Sequence, residues 1–281
     1  MNSLARVLLA LALVSSPLAL GCKKSPATGT TSPSATDALT FPLAPRVVGT
    51  RWAKVDDLTT SLVVETPQGK VDAGGKRHYR TESEILAVDA AGLVTKLSVS
   101  YPERVDVDLG PSAKPKSSAL LGNTYVVALE GGAMVATRDG QPVTGAELVE
   151  LTKDQDDLGK APVMEQIMAG RPWKLGERYQ LTADDLARLA AVKGGDGPQT
   201  TAMALTLREV VGSQATFALT MTMQSADRTS LSIDISGTMA VDTATGRPGR
   251  LELSGPVKGN YSGLPITGTM TGLVTYEFAT P

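Results

Sequence analysis

The residue types that most often carry catalysis are scarce in this sequence. It contains one histidine, His78, and one cysteine, Cys22. Hydrolysis of the Ser-His-acid type needs an imidazole that accepts the proton of the nucleophile. His78 shares one strand parity with Arg80, Glu82 and Glu84, and such a charged parity is typical of the solvent face of a strand. The sequence also has no Gly-x-Ser-x-Gly elbow. We therefore expect no catalytic residue and a protein that is not an enzyme.

Metal-ligating patterns are equally poor. One histidine and one cysteine cannot supply the usual ligands of zinc or copper. The acidic run from Asp154 to Gly159, with Glu165 in the twelfth position, has the count of a calcium-binding loop, but its fifth position is Leu158 instead of an oxygen ligand. We interpret this run as an acidic helix end and expect no metal and no cofactor. Acidic residues are abundant, yet no pair of carboxylates is distinctive enough to predict acid–base chemistry.

The charge balance argues against nucleic acid as a partner. The chain has 27 basic and 29 acidic residues, interspersed, with a formal net charge of -2. Binding to phosphate backbones depends on clustered positive charge. Aromatic residues make up only 4% of the chain, so platforms on which bases or sugars could stack are few.

Methionine is the most suggestive side chain in the C-terminal part. Five methionines and one phenylalanine share the apolar parity of alternating runs: Met203, Phe217, Met221, Met223, Met239 and Met270. Flexible, polarizable side chains suit an adaptable cavity for acyl chains or another hydrophobic ligand. They also fill the gaps of an ordinary core. Both interpretations, a hydrophobic-ligand site and a close-packed core, remain open at this point.

The elements that position these side chains are mostly strands. Two-residue alternation is clearest where Leu231, Ile233 and Ile235 face one way and Ser232 and Asp234 the other. Further strands are expected around 46–54, 60–66, 76–88, 92–101 and 124–137, and helices at 146–157 and 183–192. The sequence predicts a mainly β fold, an antiparallel meander of about ten strands with two short helices. The meander forms either a curved half-barrel or a two-sheet sandwich.

The first 22 residues have the pattern of a secretory leader. Arg6 supplies a positive charge, Val7 to Val14 form an apolar stretch too short to cross a bilayer, and Leu18-Ala19-Leu20-Gly21-Cys22 follows. This last segment resembles the lipobox of bacterial lipoproteins. The resemblance implies cleavage between Gly21 and Cys22, a diacylglycerol thioether on the sulfur of Cys22, and an acyl chain on its new amino group.

The domain organisation follows from this leader. Residues 1–21 are predicted to be the signal peptide, and residues 22–40 the lipidated cysteine with a disordered tether rich in Ser, Thr, Pro and Ala. Residues 41–281 are predicted to form a single antiparallel β domain, in which two related halves could lie at about 41–142 and 165–281. By resemblance to enterobacterial sorting, the absence of Asp after Cys22 points to the outer membrane, with the body in the periplasm or at the surface.

The predicted fold, a lipid-anchored and cup-like β domain of this size, resembles the lipoprotein-carrier class of bacterial envelope proteins. The first hypothesis is accordingly a membrane-anchored, non-enzymatic envelope lipoprotein that binds a hydrophobic small molecule or an envelope protein. The alternative is a structural or assembly lipoprotein with a solid core and no ligand. Ligand cavities are concave and mostly apolar, whereas a solid core leaves no such space.

The lipobox leads to a direct prediction. Because Cys22 is the only thiol, replacing it (Cys22→Ala) should abolish acylation and leave a soluble protein or an uncleaved precursor. Metabolic labelling with a radioactive fatty acid measures the effect. Undiminished label on the variant would show that the lipobox interpretation is wrong.

Overall fold

One continuous antiparallel sheet forms the body of the protein in the computed structural model, which describes residues 38–108, 115–116, 118–193, 199–225, 230–261 and 263–279. The sheet has thirteen strands, and the described residues include three helices. The prediction of a mainly antiparallel β fold is confirmed, and the two-sheet sandwich that it allowed is wrong, because the strands form one open sheet with β7 and β8 at its edges. Ten of the strands have at least six residues, while β4, β7 and β8 have only two or three.

The elements follow one another along the chain without long interruptions. The strands are β1 Arg51–Thr66, β2 Gly69–Val88, β3 Val94–Asp108, β4 Pro115–Lys116, β5 Thr124–Glu130, β6 Ala133–Arg138, β7 Gln141–Pro142, β8 Arg178–Gln180, β9 Gln199–Val211, β10 Gln214–Gln224, β11 Ser232–Asp242, β12 Pro248–Tyr261 and β13 Leu264–Ala279. The helices are α1 Gly145–Asp154, α2 Val163–Ala169 and α3 Ala183–Lys193.

The strand order shows two meanders joined back to back. It runs β7-β6-β5-β3-β2-β1-β13-β12-β11-β10-β9-β8, with β4 beside β3. The first strand and the last strand therefore pair in the middle of the sheet, where Arg51 lies opposite Ala279 and Val64 opposite Ile266. The strands β7 and β8, which are consecutive in the chain, lie at opposite edges.

The predicted strands at 46–54 and 60–66 are one strand in the structure, β1. The predicted strands left a gap at residues 55–59, which contain Asp56 and Asp57. In the structure both aspartates have cationic partners on β2: Asp56 accepts two hydrogen bonds from Arg77, at 3.0 and 2.8 Å, and Asp57 lies 2.6 Å from His78. Cross-strand partners of opposite charge allow the strand to continue through both residues.

Apolar side chains on one face of the sheet, here called the inner face, form two clusters. The large cluster includes Leu58 and Leu62 of β1, Val257, Ile266 and the six residues of the predicted ligand site. The small cluster is centred on Trp52, Ile85, Val99, Tyr101 and Tyr125. The inner face is therefore the buried side of the whole sheet.

The strand order explains why α1 and α2 cover the inner face. After β7 the chain must return to the other edge of the sheet to begin β8, and α1 and α2 lie on that path. Leu151 and Leu158 belong to the small cluster, and Val163 and Ile167 to the large one. The crossing therefore runs over the inner face from one cluster to the other.

The helices agree with the sequence in part. α3 lies at the predicted position and begins with a capping box, since the Asp185 amide donates to Thr182 Oγ1 and the Thr182 amide donates to Asp185 Oδ2, both at 3.1 Å. α1 begins after Thr144, whose side chain makes no capping hydrogen bond. The helix α2 was not predicted. It has only seven residues, follows Pro162 and has no capping side chain.

Glycines allow close approach of strands on the inner face. A Cβ atom at Gly237 would overlap the carbonyl oxygen of Glu252, and one at Gly255 would overlap that of Asp234. Glycine inside a strand commonly marks a bend or a close backbone contact. Any larger residue at these positions would separate β11 from β12.

Residues 38–50, here called the strap, run along one end of the sheet. Leu39 pairs with Trp173 through two backbone hydrogen bonds of 2.7 Å, and Phe41 packs on Phe217 with ring centroids 5.8 Å apart. Further along, the Gly49 amide donates to the Ile85 carbonyl at 2.8 Å. The strap thus extends from beside β8 to β2.

The two faces of β11 provide a matched test of the fold. Ile233 is fully buried between Met223 and Val257, whereas Ser232 points to the opposite face. A buried unpaired charge costs several kcal/mol, roughly, and a surface change stays within about 0.5 kcal/mol. Ile233→Asp should therefore lower the free energy of unfolding far more than Ser232→Asp in chemical denaturation. Equal losses would contradict the assignment of the inner face.

Candidate ligand site on the inner face

The six residues of the predicted hydrophobic-ligand site come together in the structure. Met203 lies opposite Met221, Met221 opposite Ile235, and Phe217 opposite Met239 on adjacent strands. All six belong to the large cluster: Met203, Phe217, Met221, Met223, Met239 and Met270. Their accessible surface ranges from 0% for Phe217 to 7% for Met203.

Helices and a tryptophan close the large cluster. Ile167 and Met168 of α2 and Leu189 of α3 pack on it, and Trp173 meets Phe217 edge to face with centroids 4.8 Å apart. The Trp173 indole donates a hydrogen bond to the Met168 carbonyl at 2.9 Å, which ties this side chain to α2. Because the six side chains have almost no accessible surface, a ligand among them requires displacement of this cover.

A group of ionisable side chains lies beside the apolar clusters and was not predicted. We call it the polar seam; its members are Arg46, Lys54, Asp56, Arg77, Asp157, Glu165, Arg247 and Tyr276. On β1, Lys54 and Asp56 share the inner face with Trp52 of the small cluster and Leu58 of the large one. The seam therefore crosses the sheet where the two clusters meet.

Asp56 and Arg77 form a buried ion pair of the seam. Their side chains are only 8% and 4% exposed, and Lys54 Nζ lies 3.6 Å from the same carboxylate. Burial alone would raise the pKa of Asp56, but Lys54 and Arg77 outweigh this effect and hold the pKa below its ordinary value. Asp56 is therefore ionised at neutral pH.

Glu165 of α2 connects the strap to the seam. It is 2% exposed, and both of its carboxylate oxygens lie 3.3 Å from Arg46. Burial raises the pKa of Glu165 to about 7, although Arg46 and Arg247 act in the opposite direction. Burial also lowers the pKa of Arg247 to about 10. Arg247 also donates to the Pro45 carbonyl at 3.0 Å, so both arginines hold the strap against the body.

Asp157 and Tyr276 complete the seam. Burial, together with the neighbouring charge of Asp156, raises the pKa of Asp157 to about 6. The pKa of Tyr276 is raised by burial and then by Asp56, Asp157 and Glu165. Two carboxyl groups of the seam, on Asp157 and Glu165, thus titrate near neutral pH. Such groups can exchange protons or accept hydrogen bonds from the polar part of a ligand.

The carboxylates of the calcium-loop-like run are engaged elsewhere. Asp154 accepts a hydrogen bond from Arg104 at 3.1 Å and another from the Tyr101 hydroxyl at 2.7 Å. Arg104 also lies over the Tyr79 ring, 4.1 Å from its centroid. Within the residues that the structure describes, no group of three His, Cys, Asp or Glu side chains could hold a metal ion.

His78 lies on the outer face, away from the seam. Its Nδ1 is 2.6 Å from Asp57 and its Nε2 is 3.0 Å from Glu103. The hydrogen bond to Asp57 is the main cause of a raised His78 pKa, and the contact with Glu103 adds to it. Both ring nitrogens are thus occupied by carboxylates, and the side chain remains 40% exposed. A surface ion bridge is the role that this geometry supports.

The predicted lipidation residue, Cys22, and the cleavage position at Gly21 lie outside the described residues. Among the residues that are described, no helix is long and apolar enough to cross a membrane.

The sequence did contain a signal for the seam. Lys54 and Asp56 occupy the parity of Trp52 and Leu58, and Arg77 and Tyr79 occupy that of Ile85. Charges on the apolar parity of a continuous strand indicate buried ion pairs, but the predicted strands stopped at residue 54 and resumed at residue 60. Glu165 gave no such signal, because its position depends on the fold of α2 and the strap.

Neither a protein-family model nor a curated protein matches this chain. A solved structure described as "lipid-protein interactions in lipovitellin" has a TM-score of 0.45 and 7% sequence identity. The similarity covers 83% of this chain and 25% of that chain, so the protein spans about a quarter of the lipovitellin chain. A likeness at this level carries no argument about function.

The raised pKa of Glu165 predicts a specific pH dependence of stability. Folding favours the protonated carboxyl, so the stability associated with it is complete below a pH of about 4.5 and is lost as the pH rises through about 7. Between pH 5 and pH 8 the wild type should lose on the order of 1–3 kcal/mol more unfolding free energy than Glu165→Gln.

Denaturation with urea at both pH values measures this difference. The matched control is Glu82→Gln, because Glu82 is exposed on the outer face and should leave the pH dependence unchanged. Parallel pH profiles for the wild type and Glu165→Gln would contradict the assignment.

Proposed function

We propose that the protein is a bacterial envelope lipoprotein, anchored in the membrane through acylated Cys22, whose β body binds a hydrophobic ligand without catalysing a reaction. The leader and lipobox support the anchor. The body lies in the periplasm or at the surface, with the outer membrane as the site of anchoring. The tether between Cys22 and the strap keeps the body close to that membrane.

One observation carries the binding proposal: methionine side chains from four of five adjacent strands converge on one face beneath a helical cover. Met203, Phe217, Met239 and Met270 come from β9, β10, β11 and β13, with Val257 of β12 between them. Methionine adapts to ligands of different shape at little cost in rotamer strain. The polar seam lies at the edge of this cluster, where it offers hydrogen bonds to a polar end of the ligand.

The cover has the construction of a lid. α2 belongs to the crossing between the two sheet edges, and α3 belongs to the β8–β9 connection. Both helices are held to the inner face by side-chain packing and not by strand pairing. Helical segments without backbone pairing to a sheet can move while the sheet stays intact. Displacement of α2 and α3 would open the methionine-lined face to a ligand.

The second candidate is a structural lipoprotein with a solid core. The nearly complete burial of Met223 and Met270, each 1% exposed, favours it. In this case the methionines serve only to fill space in a sheet that has few aromatic residues. Envelope proteins would then be the partners, bound on the outside of the body.

A bulky substitution separates the two candidates. If the large cluster opens to bind a ligand, the acylated protein recovered from its native envelope should retain a lipid-like mass in native mass spectrometry. Met221→Trp should reduce that mass without unfolding the protein. If the cluster is a solid core, the same change should overpack it and destabilise the fold by roughly 1–3 kcal/mol, with no ligand to lose.

Met134→Trp is the matched control, because Met134 packs at the border of the small cluster instead of the large one. It should leave ligand retention unchanged. The binding proposal fails if the wild-type protein is consistently recovered empty and binds no added fatty acid or phospholipid.

A further inference from the structure

Exposed apolar side chains concentrate at one end of the body. Five large apolar residues at this end are 48% to 67% exposed, and we call them the apolar rim: Leu43, Val47, Val48, Leu175 and Val211. Scattered exposed apolar residues are normal on a protein surface, but a group of exposed apolar residues at one end of a protein is unusual.

The strand register shows that these residues share one end. β9 finishes at Val211 and turns into β10. Leu175 lies near the last residues of β9, because the amide of the following residue, Gly176, donates to the Leu207 carbonyl at 2.8 Å. Thr243, in the β11–β12 turn, donates its amide to Ser213 of the β9–β10 turn at 2.8 Å. All of these segments lie at the end of the sheet where β9 and β11 finish.

The strap contributes the other three residues along the same end. Gly246 of the β11–β12 turn lies against the Pro42 backbone, next to Leu43. Val47 and Val48 precede Gly49, which pairs with Ile85 of β2. From β8 to β2 the strap crosses seven strand spacings, so the apolar rim extends over as much as about 34 Å at ~4.8 Å per strand.

The tether enters the body at this same end. Fifteen residues, Lys23 to Asp37, separate Cys22 from the first described residue, Ala38, and Leu39 is already paired with Trp173. Their composition predicts a coil with a reach of about 5–6 Å × √15, or roughly 20–23 Å. The acyl anchor is therefore held within a short distance of the apolar rim, while the β1–β2 turn lies at the far end of the longest strands.

We propose that the apolar rim docks on the lipid bilayer that carries the acyl anchor. This inference rests on the anchor of the proposed function and adds an orientation to it. A tether of this length gives its two ends an effective concentration in the millimolar range, so a weak apolar contact suffices to hold the body against the membrane. Lys174, exposed beside Leu175, adds a positive charge that favours anionic headgroups.

The single cysteine makes a direct test simple. In the acylated protein the thiol of Cys22 is consumed, so an introduced cysteine can be labelled alone. A fluorophore is attached at Lys174→Cys, beside the apolar rim, or at Gln68→Cys, in the β1–β2 turn. The acylated proteins are reconstituted into vesicles of phosphatidylethanolamine and phosphatidylglycerol that contain a nitroxide lipid. The fluorophore at position 174 should lose most of its emission by quenching, and the fluorophore at position 68 should keep it.

Changes in the apolar rim should remove the quenching without unfolding the protein. Val47→Asp combined with Val48→Asp places charge on two side chains that are 51% and 54% exposed, and thermal unfolding should be unchanged. Val105→Asp is the matched control, because Val105 is 46% exposed but lies opposite His78 on the outer face. It should leave the quenching at position 174 intact.

Three results would overturn the proposal. The first is equal quenching at positions 174 and 68, and the second is quenching at position 174 that survives the double substitution. The third is protection of the position-174 fluorophore from quenching that increases with the number of protein molecules per vesicle. That result would assign the apolar rim to a contact with a second copy of the chain. Failure of the anchor itself is distinguishable, because the protein would then not float with the vesicles; that result would overturn both proposals.

Discussion

The hydrogen-bonded pairing of β1 with β13 is the interaction on which the rest of the structure depends. It places the first and last strands of the body side by side in the middle of the sheet, with Arg51 opposite Ala279 and Val64 opposite Ile266. Two meanders that grow outward from this pair leave β7 and β8 at distant edges. The chain can connect these edges only by crossing a face of the sheet. This crossing carries α1 and α2 over the inner face, on which the strand parity places the methionines.

The same crossing explains why charge is buried at the centre. Where α1 gives way to α2 the chain passes over β1 and brings Asp157 and Glu165 to face Lys54 and Arg46. Burying these groups costs free energy through lost hydration, which their mutual attraction only partly offsets. The pKa of about 7 at Glu165 reflects that imbalance. Ionic contacts of this kind specify how the helices and the strap lie on the sheet more than they stabilise it.

Local patterns in the sequence predict the strands well. The alternation around Ile233 and the capping box at Thr182 and Asp185 report on neighbours a few residues away, and the structure agrees with both. The convergence of the methionines is also visible in the sequence, because parity alone places them on one face. Parity does not determine whether the methionines enclose a ligand or pack as a solid core.

Contacts between distant parts of the chain could not be predicted. The pairing of β1 with β13 and the contact of Arg46 with Glu165 join residues far apart in sequence, and no short-range pattern encodes them. Asp56 is an example: an aspartate in a strand is unfavourable alone, and the guanidinium of Arg77 that compensates for it lies on another strand. The polar seam was missed for this reason.

The central position of the last strand has a consequence for the order of folding. Until β13 has been made, β1 has hydrogen-bonding partners only in β2, and its other edge stays open. Long-range pairing of this kind is slow, because loop-closure entropy must be overcome before the contacts form. A chain that is exported from its N-terminus would reach the far side of the membrane in this incomplete state, with an exposed strand edge that is prone to aggregate. The two meanders can therefore become one continuous sheet only after β13, a strand of sixteen residues, has been made and has paired with β1.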